Sequence, residues 1–160
     1  MNDILVSIII VNYNTCPLTC ACIDSIFQNV HSCKFEVILV DNASSDNSII
    51  EIKRRYASSV KLVASDSNLG FGRANNLGVK HAFGQYLFLL NSDTVLRNDP
   101  FSYFFEFLHR RENIGALGAY LKDGNRVYTK SGGNFYSMSK YLMMLSLIHI
   151  SEPTRRTPIS

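Results

Sequence analysis

The sequence predicts an α/β fold: a mainly parallel sheet in spatial order 3-2-1-4, flanked by helices. Three observations predict it. Four short apolar runs, around Val6–Val11, Phe35–Val40, Val60–Val63 and Tyr86–Leu90, alternate with helix-type patterns. The runs are β-branched or continuously apolar, which suits strands buried on both faces of a parallel sheet. The segments after the first, second and fourth runs are polar: Asn12-Tyr13-Asn14, Asp41 to Asp46, and Asn91-Ser92-Asp93. Sheets built from right-handed strand–helix–strand crossovers bind ligands beyond the carboxyl ends of their strands.

The elements follow in order. Ile4 to Val11 is the first strand. Thr15 is placed to cap a helix with Pro17 in its first turn, and Leu18, Ile23, Ile26 and Phe27 are its expected apolar face. After the second strand, Ser48 and Glu51 have capping-box spacing for a helix running to about Ala57. A helix around Arg73 to Ala82, ended by Gly84, follows the third strand. Asp99 and Pro100 then open a helix whose buried side is Phe101, Phe104, Phe105 and Leu108. Two weaker strands are expected near 116–121 and 126–129, with Asp123-Gly124 as the turn between them.

Composition bounds the function. The chain has 160 residues, 46% apolar and 18% charged, enough for one domain with a real core. A formal charge of +3, with no basic arm, argues against a nucleic-acid partner. Asn2 and Asp3 stand where a secretory signal would be basic, and the apolar stretch Tyr141 to Ile150 is about half a membrane span. A cytoplasmic domain is the expectation. Cys16, Cys20, Cys22 and Cys33 lack the paired spacings of a zinc site and are expected to be reduced thiols packing as small hydrophobes. From Leu145 to Ser160 the helix–strand grammar stops; this stretch reads as translated adapter sequence, with a native flexible terminus as the alternative.

Asp93 is the sharpest chemical candidate. It follows a fully apolar strand, and one carboxylate with phosphate oxygens and water is a sufficient shell for Mg²⁺ or Mn²⁺. The alternative is an Asx-type turn built from Asn91 and Asp93. Asp41 stands equally at the end of its strand, where it could accept a hydrogen bond from a pyrimidine imide or a ribose hydroxyl, or serve turn chemistry. Asn68 to Asn76 leads into a helix, with Gly70 and Gly72 permitting close backbone approach to phosphate and Arg73 as an added contact. The dinucleotide fingerprint and the Walker loop are both missing from this stretch.

Taken in order, these segments resemble family 2 glycosyltransferases, in particular the inverting, rhamnosyltransferase-like branch that builds cell-surface polysaccharide. The matching pieces are Val6 to Asn14, Val40 to Asp46, Asn68 to Asn76, Leu89 to Asp93, and a group formed by Gly115 to Gly118, Asp123 to Arg126 and Ser131 to Gly133. Each is loose alone, whereas five in order are specific. The resemblance implies a glycosyltransferase A-type fold, a nucleoside-diphosphate sugar donor with a pyrimidine base, and a glycan or lipid-linked acceptor. It assigns Val11, Tyr13, Asn14, Asp41, Asn76, Asn91 and Ser92 to the nucleotide and Asp93 to the divalent metal, as the last acid of a DXD-like motif whose first acid is here Asn91. It also implies association of the full-length protein with the inner face of the membrane.

Residues 1–135 are expected to form the incomplete nucleotide-sugar-binding domain and 136–160 a truncated or non-native tail. The general base of inverting transfer, an Asp or Glu of an acceptor-binding half, is expected beyond this chain. The competing expectation is a catalytically silent sugar-nucleotide-binding module. A nucleotidyltransferase on a similar fold would need a glycine-rich basic segment after the first strand, which Asn12-Tyr13-Asn14 is not.

Overall fold

The computed structural model describes residues 4–111, 114–119, 121–122 and 128–129. The chain divides into two compact units between residues 113 and 114. The first contains strands β1 (Val6–Asn12), β2 (Phe35–Asp41), β3 (Val60–Ala64) and β4 (Tyr86–Asn91), interleaved with helices α1 (Cys16–Asn29), α2 (Ser48–Tyr56), α3 (Phe71–Val79) and α4 (Phe101–His109). The second unit contains β5 (Leu121–Lys122) and β6 (Tyr128–Thr129), paired antiparallel with Leu121 opposite Thr129. The expected strand near 116–121 is thus confined to its last residue, and the Asp123-Gly124 turn and the boundary at 135/136 lie outside the described residues.

The sheet of the first unit has order β3-β2-β1-β4, and all three pairings are parallel. This is the predicted order and a glycosyltransferase A-like arrangement. β1 is central because it carries the purest apolar run: Ile8, Ile9 and Ile10 are completely buried. Burying each contributes roughly 1.5–3 kcal/mol. Period-2 alternation sends Ile8 and Ile10 to one face, where they join Cys20, Cys22, Ile23 and Ile26 of α1 and Ile52 and Tyr56 of α2. Ile9 and Val40 face the other way, onto α3. Gly78 makes that approach close: a Cβ there would stand 2.6 Å from Ile9 Cγ2 and 3.0 Å from Val40 Cγ2.

Several expectations are corrected. Leu18 and Phe27 are among the exposed apolar residues, and α1 instead buries Thr19, Cys20, Cys22 and Ser25 beside Ile23 and Ile26. Helix α2 begins at Ser48, but Ser48 is not its cap: the Asp46 carboxylate accepts from the Ser48 amide at 3.0 Å and from the Ser48 hydroxyl. Helix α3 starts two residues earlier than expected, at Phe71, and ends at Val79.

Strand β4, read as buried on both faces, is covered on one. Phe88 packs edge-on against Phe101 of α4, with ring centroids 5.0 Å apart. Leu87 and Leu89, on the α3 side, remain 50% and 53% exposed, since β4 is the edge of this sheet and α3 lies over β1 and β2. Asp99 does open α4 as expected, and does more. Its Oδ1 accepts from the Phe101 amide at 2.9 Å, while Oδ2 accepts from the His31 and Ser32 amides at 2.8 and 2.7 Å, tying the end of α1 to the start of α4.

Candidate functional site

Parallel pairing brings three strand ends to one rim. Asn12 lies beside Asp41, and Val11 beside Asn91, so the polar segments after β1, β2 and β4 converge. Asn12 holds them together. Its side chain is fully buried and makes four hydrogen bonds, donating to Asp41 Oδ1 (2.7 Å) and Ser44 Oγ (2.9 Å) and accepting from the Thr15 (3.0 Å) and Thr19 (2.7 Å) hydroxyls. Every donor and acceptor of that amide is used, which is what a buried carboxamide needs to avoid a desolvation cost.

The loop after β2 is built around this hub. Asp41 is 1% exposed, and its Oδ2 accepts from the Ser44 amide at 3.0 Å, so the turn chemistry foreseen for it is present. Each of its oxygens carries one protein hydrogen bond among the described residues. Asn14 adopts a left-handed φ of 54° and accepts the Ser45 amide at 2.8 Å and the Asp46 amide at 3.3 Å. Ala43 also has positive φ, 63°, an uncommon conformation for a residue with a Cβ. Hydrogen bonds from Ser48, and a weaker one from the Cys16 amide, hold the Asp46 carboxyl below its ordinary value.

A second loop, before α3, is clasped by Asn42. This residue is 3% exposed; its Nδ2 donates to Asn68 Oδ1 at 2.9 Å and its Oδ1 accepts from the Leu69 amide at 2.8 Å. Asn68 Oδ1 also accepts from the Gly70 amide at 2.9 Å. Gly70 has φ 73° and ψ 163°, a region essentially restricted to glycine, and it delivers Phe71 to the first turn of α3 with its ring 59% exposed.

The segment after β4 is sparsely bonded by comparison. The Thr94 amide donates to the Asn91 carbonyl at 3.1 Å, and Ser92 Oγ meets Thr15 Oγ1 at 3.3 Å. Asp93 is exposed and makes no hydrogen bond or salt bridge among the described residues. Beneath it, the buried Cys22 thiol lies 3.6 Å from the Asn91 carbonyl. Burial, and then the negative charge of Asp93, push that thiol up to about 12, so it is neither a ready nucleophile nor a ready metal ligand. All four cysteines are free thiols. Among the described residues no group of three or more His, Cys, Asp or Glu side chains converges on a metal-sized space. A divalent ion is therefore compatible with the rim only where a ligand's phosphates supply most of its shell, and the unengaged Asp93 carboxylate fits that one-acid role.

The loops enclose an open cleft of about 360 Å³ lined by Val11, Tyr13, Thr15, Asn42, Asn68, Gly70, Phe71 and Ser92. Of the residues assigned to a nucleotide from sequence, Val11, Tyr13 and Ser92 line it. Asp41, which ends β2, and Asn14, which follows β1, are not among its lining residues; Asn91 ends β4 beside Val11, and Asn76 is on the exposed side of α3. Asn12, Thr15, Asn42, Asn68 and Phe71 were not singled out as site residues. Thr15 was read only as a cap and Asn68 only as the start of a phosphate loop. Asn12 carried a signal that went unused: a lone amide between a strand of isoleucines and a helix start must find partners.

The comparisons agree with this geometry. Residues 7–155 match the model of Glycosyl transferase family 2. The chain is 32% identical over 95 residues to the Escherichia coli UDP-Glc:α-D-GlcNAc-diphosphoundecaprenol β-1,3-glucosyltransferase WfgD, covering 59% of this chain and 37% of that protein. It resembles the crystal structure of Staphylococcus aureus TarS 1-349 in complex with UDP-GlcNAc with a TM-score of 0.60 at 21% identity, covering 67% of this chain and 32% of that one. It also resembles the Pyrobaculum calidifontis mannosyltransferase PcManGT, solved with GDP-Man and Mn²⁺, with a TM-score of 0.55 at 25% identity, covering 59% and 29%. The chain spans about half or less of the length of the curated relatives it matches. A match to the family model over nearly its whole length, on a sheet of the expected order with its polar loops at one rim, makes this chain a member of glycosyl transferase family 2.

Proposed function

We propose that this chain is the donor-binding part of an inverting glycosyltransferase of the rhamnosyltransferase-like branch, which moves a hexose or deoxyhexose from a nucleoside diphosphate to a polysaccharide or lipid-linked acceptor. The observation that carries the reading is the cleft itself. An apolar and aromatic wall (Val11, Tyr13, Phe71) faces amides and hydroxyls on rigid loops, with an unengaged carboxylate, Asp93, on the adjoining strand end. Tyr13 and Phe71 offer faces to a base. Thr15 and Ser92 offer hydroxyls to ribose or phosphate, and Asp41, held by Asn12 and Ser44, is assigned to the nucleotide. Asp93 would hold Mg²⁺ or Mn²⁺ together with the diphosphate. That ion, when bound, offsets the negative charge that develops on the leaving diphosphate.

Inversion requires the acceptor hydroxyl to attack from the face opposite the diphosphate while a base takes its proton. We assign that base to the acceptor half of the longer protein. Among the described residues no helix is long and apolar enough to cross a membrane. In this reading the full-length enzyme works at the inner membrane face, where cytoplasmic nucleotide sugars would meet a lipid-linked acceptor of the kind named for WfgD.

Calorimetric titration of the chain with UDP, with and without Mn²⁺, tests it. Metal-dependent binding is expected, together with little conversion of labelled UDP-sugar into glycoside by these residues alone. Absence of nucleotide binding under all conditions overturns the reading. Robust glycoside formation would place the base among the acids already present, and binding by the full-length protein without any transfer would favour the silent module.

A further inference from the structure

We infer that Asn68 reads the nucleobase, and that it selects bases carrying a ring carbonyl over bases carrying an exocyclic amine. The inference rests on the nucleotide reading and names the specificity of the same cleft.

An asparagine side chain can ordinarily turn its oxygen or its nitrogen toward a ligand. Asn68 cannot exchange them freely. Its Oδ1 accepts two hydrogen bonds, from Asn42 Nδ2 at 2.9 Å and from the Gly70 amide at 2.9 Å. Exchanging oxygen and nitrogen would set an NH₂ group against two donors. Asn42 is itself fixed, since its Oδ1 accepts from the Leu69 amide at 2.8 Å and its own amide donates to the Asn12 carbonyl at 2.8 Å. The Nδ2 of Asn68 is therefore left as a donor, without a hydrogen-bond partner among the described residues, on an exposed residue that lines the same cleft as Tyr13 and Phe71.

A fixed donor pairs with an acceptor. Uracil and thymine at O4 and guanine at O6 present acceptors, whereas cytosine and adenine present an amine donor at the equivalent edge. A donor facing a donor leaves both unpaired, which is how a polar site rejects a near-isostere. The printed ligands of the relatives agree: UDP-Glc, UDP-GlcNAc and GDP-Man all carry keto bases. Asn42 is then a positioning residue, which sets the amide of Asn68 and has no need to touch the base.

The test is a set of affinities measured by calorimetry for UDP, CDP, GDP and ADP at fixed Mn²⁺. The unmodified chain is expected to bind UDP about tenfold or more tightly than CDP, and GDP more tightly than ADP. Asn68→Asp keeps both acceptor contacts through one oxygen and replaces the free donor with an acceptor. The UDP-to-CDP ratio is expected to fall by about a hundredfold, reversing the order, because loss of the match and gain of the opposite match multiply. Any added repulsion of the diphosphate cancels in that ratio. Asn68→Ala is expected to bring the ratio near one. Equal affinity for UDP and CDP in the unmodified chain, or the same preference retained by Asn68→Asp, overturns the inference and leaves the nucleotide reading standing. Binding of none of the four overturns both.

Discussion

The loops after β2 and β4 sit at the same rim of the same sheet, yet they are built in opposite ways. From Asp41 to Asp46 every polar side chain is engaged: Asp41 by Asn12 and Ser44, Asn42 by Asn68, Ser44 by Asn12, Ser45 by Asn14, and Asp46 by Ser48. From Asn91 to Asp93, beyond the strand ladder, the described contacts are one turn hydrogen bond, one hydroxyl contact and one weak thiol contact to the Asn91 carbonyl, and Asp93 is left open. The first loop is therefore finished by the protein; the second is open, and in the proposed function a ligand completes it. A preorganised wall lowers the cost of ordering a nucleotide, while an unengaged carboxylate keeps its full capacity for a cation.

The largest way to break this contrast is to remove the hub. Asn12→Ala takes one hydrogen-bond partner from the buried Asp41 carboxylate, the buried Thr19 hydroxyl and the half-buried Thr15 hydroxyl, and is expected to cost about 2–4 kcal/mol of stability, read from denaturant unfolding. Nucleotide affinity should fall with it, because the β2 loop loses its reference point. A loss under 1 kcal/mol would show that the loop holds itself through Asn14 and Ser44 alone.

Asp93→Ala should behave in the reverse sense. Asp93 makes no hydrogen bond or salt bridge among the described residues, so unfolding should shift by less than about 0.5 kcal/mol. Nucleotide affinity in Mn²⁺ should drop about tenfold to a hundredfold and become insensitive to metal, as expected when a charge-assisted contact is lost. Unchanged affinity would remove Asp93 from the metal site. The two variants together separate a residue that builds the site from one that serves it.

This contrast also marks what the sequence could tell. The apolar runs Ile8–Val11 and Val37–Val40 are unambiguous because no polar side chain interrupts them, the Ser7 hydroxyl and Glu36 carboxylate just before them being paired with each other, and the strand order follows from where the polar segments fall. The position of Asp93, two residues beyond the end of β4, was legible from the apolar run before it. The β2 loop was not, because its design lies in pairings between residues about thirty positions apart, such as Asn12 with Asp41 and Asn14 with Ser45. Ser48 was misread as a cap since Asp46, two residues earlier, is the better acceptor. The exposure of Leu87 and Leu89 could not be read either, for the same apolar run serves a central or an edge strand.

Acid pH sharpens the comparison further. The Asp46 carboxyl is held low by its hydrogen bonds from Ser48 and Cys16. For Asp99, burial raises the carboxyl, but the His31, Ser32 and Phe101 amides outweigh it and the net direction is down. A depressed folded-state value means that the unfolded chain binds the proton more readily, so the stabilisation is present above the ordinary carboxylate value and is lost as pH falls below about 4. Stability measured from pH 6 to pH 3 should decline, and the decline should be shallower in Asp46→Asn and Asp99→Asn. A curve equally steep in both variants would mean that other groups govern acid unfolding.

The smallest expected effect concerns the strain inside the finished loop. Ala43 holds a φ of 63° between Asn42, which clasps the Asn68 loop, and Ser44, which donates to Asp41. The left-handed conformation brings a Cβ against its own carbonyl and costs about 1–2 kcal/mol for a residue other than glycine. Neighbours on both sides are fixed by side-chain hydrogen bonds, so the backbone cannot relax without giving those bonds up. Ala43→Gly removes the clash in the folded state but adds freedom to the unfolded chain, which recovers about 0.4–1 kcal/mol of the gain. A net stabilisation of about 0.5–1 kcal/mol is the expected result, a rise of a few degrees in Tm. Nucleotide affinity should stay the same, since the folded loop already has this shape. A stabilised variant with weaker binding would show instead that the methyl group of Ala43 contacts the ligand. A destabilised variant would show that the loop does not hold this conformation in solution, and the description of the β2 loop as complete before ligand arrives would have to be abandoned.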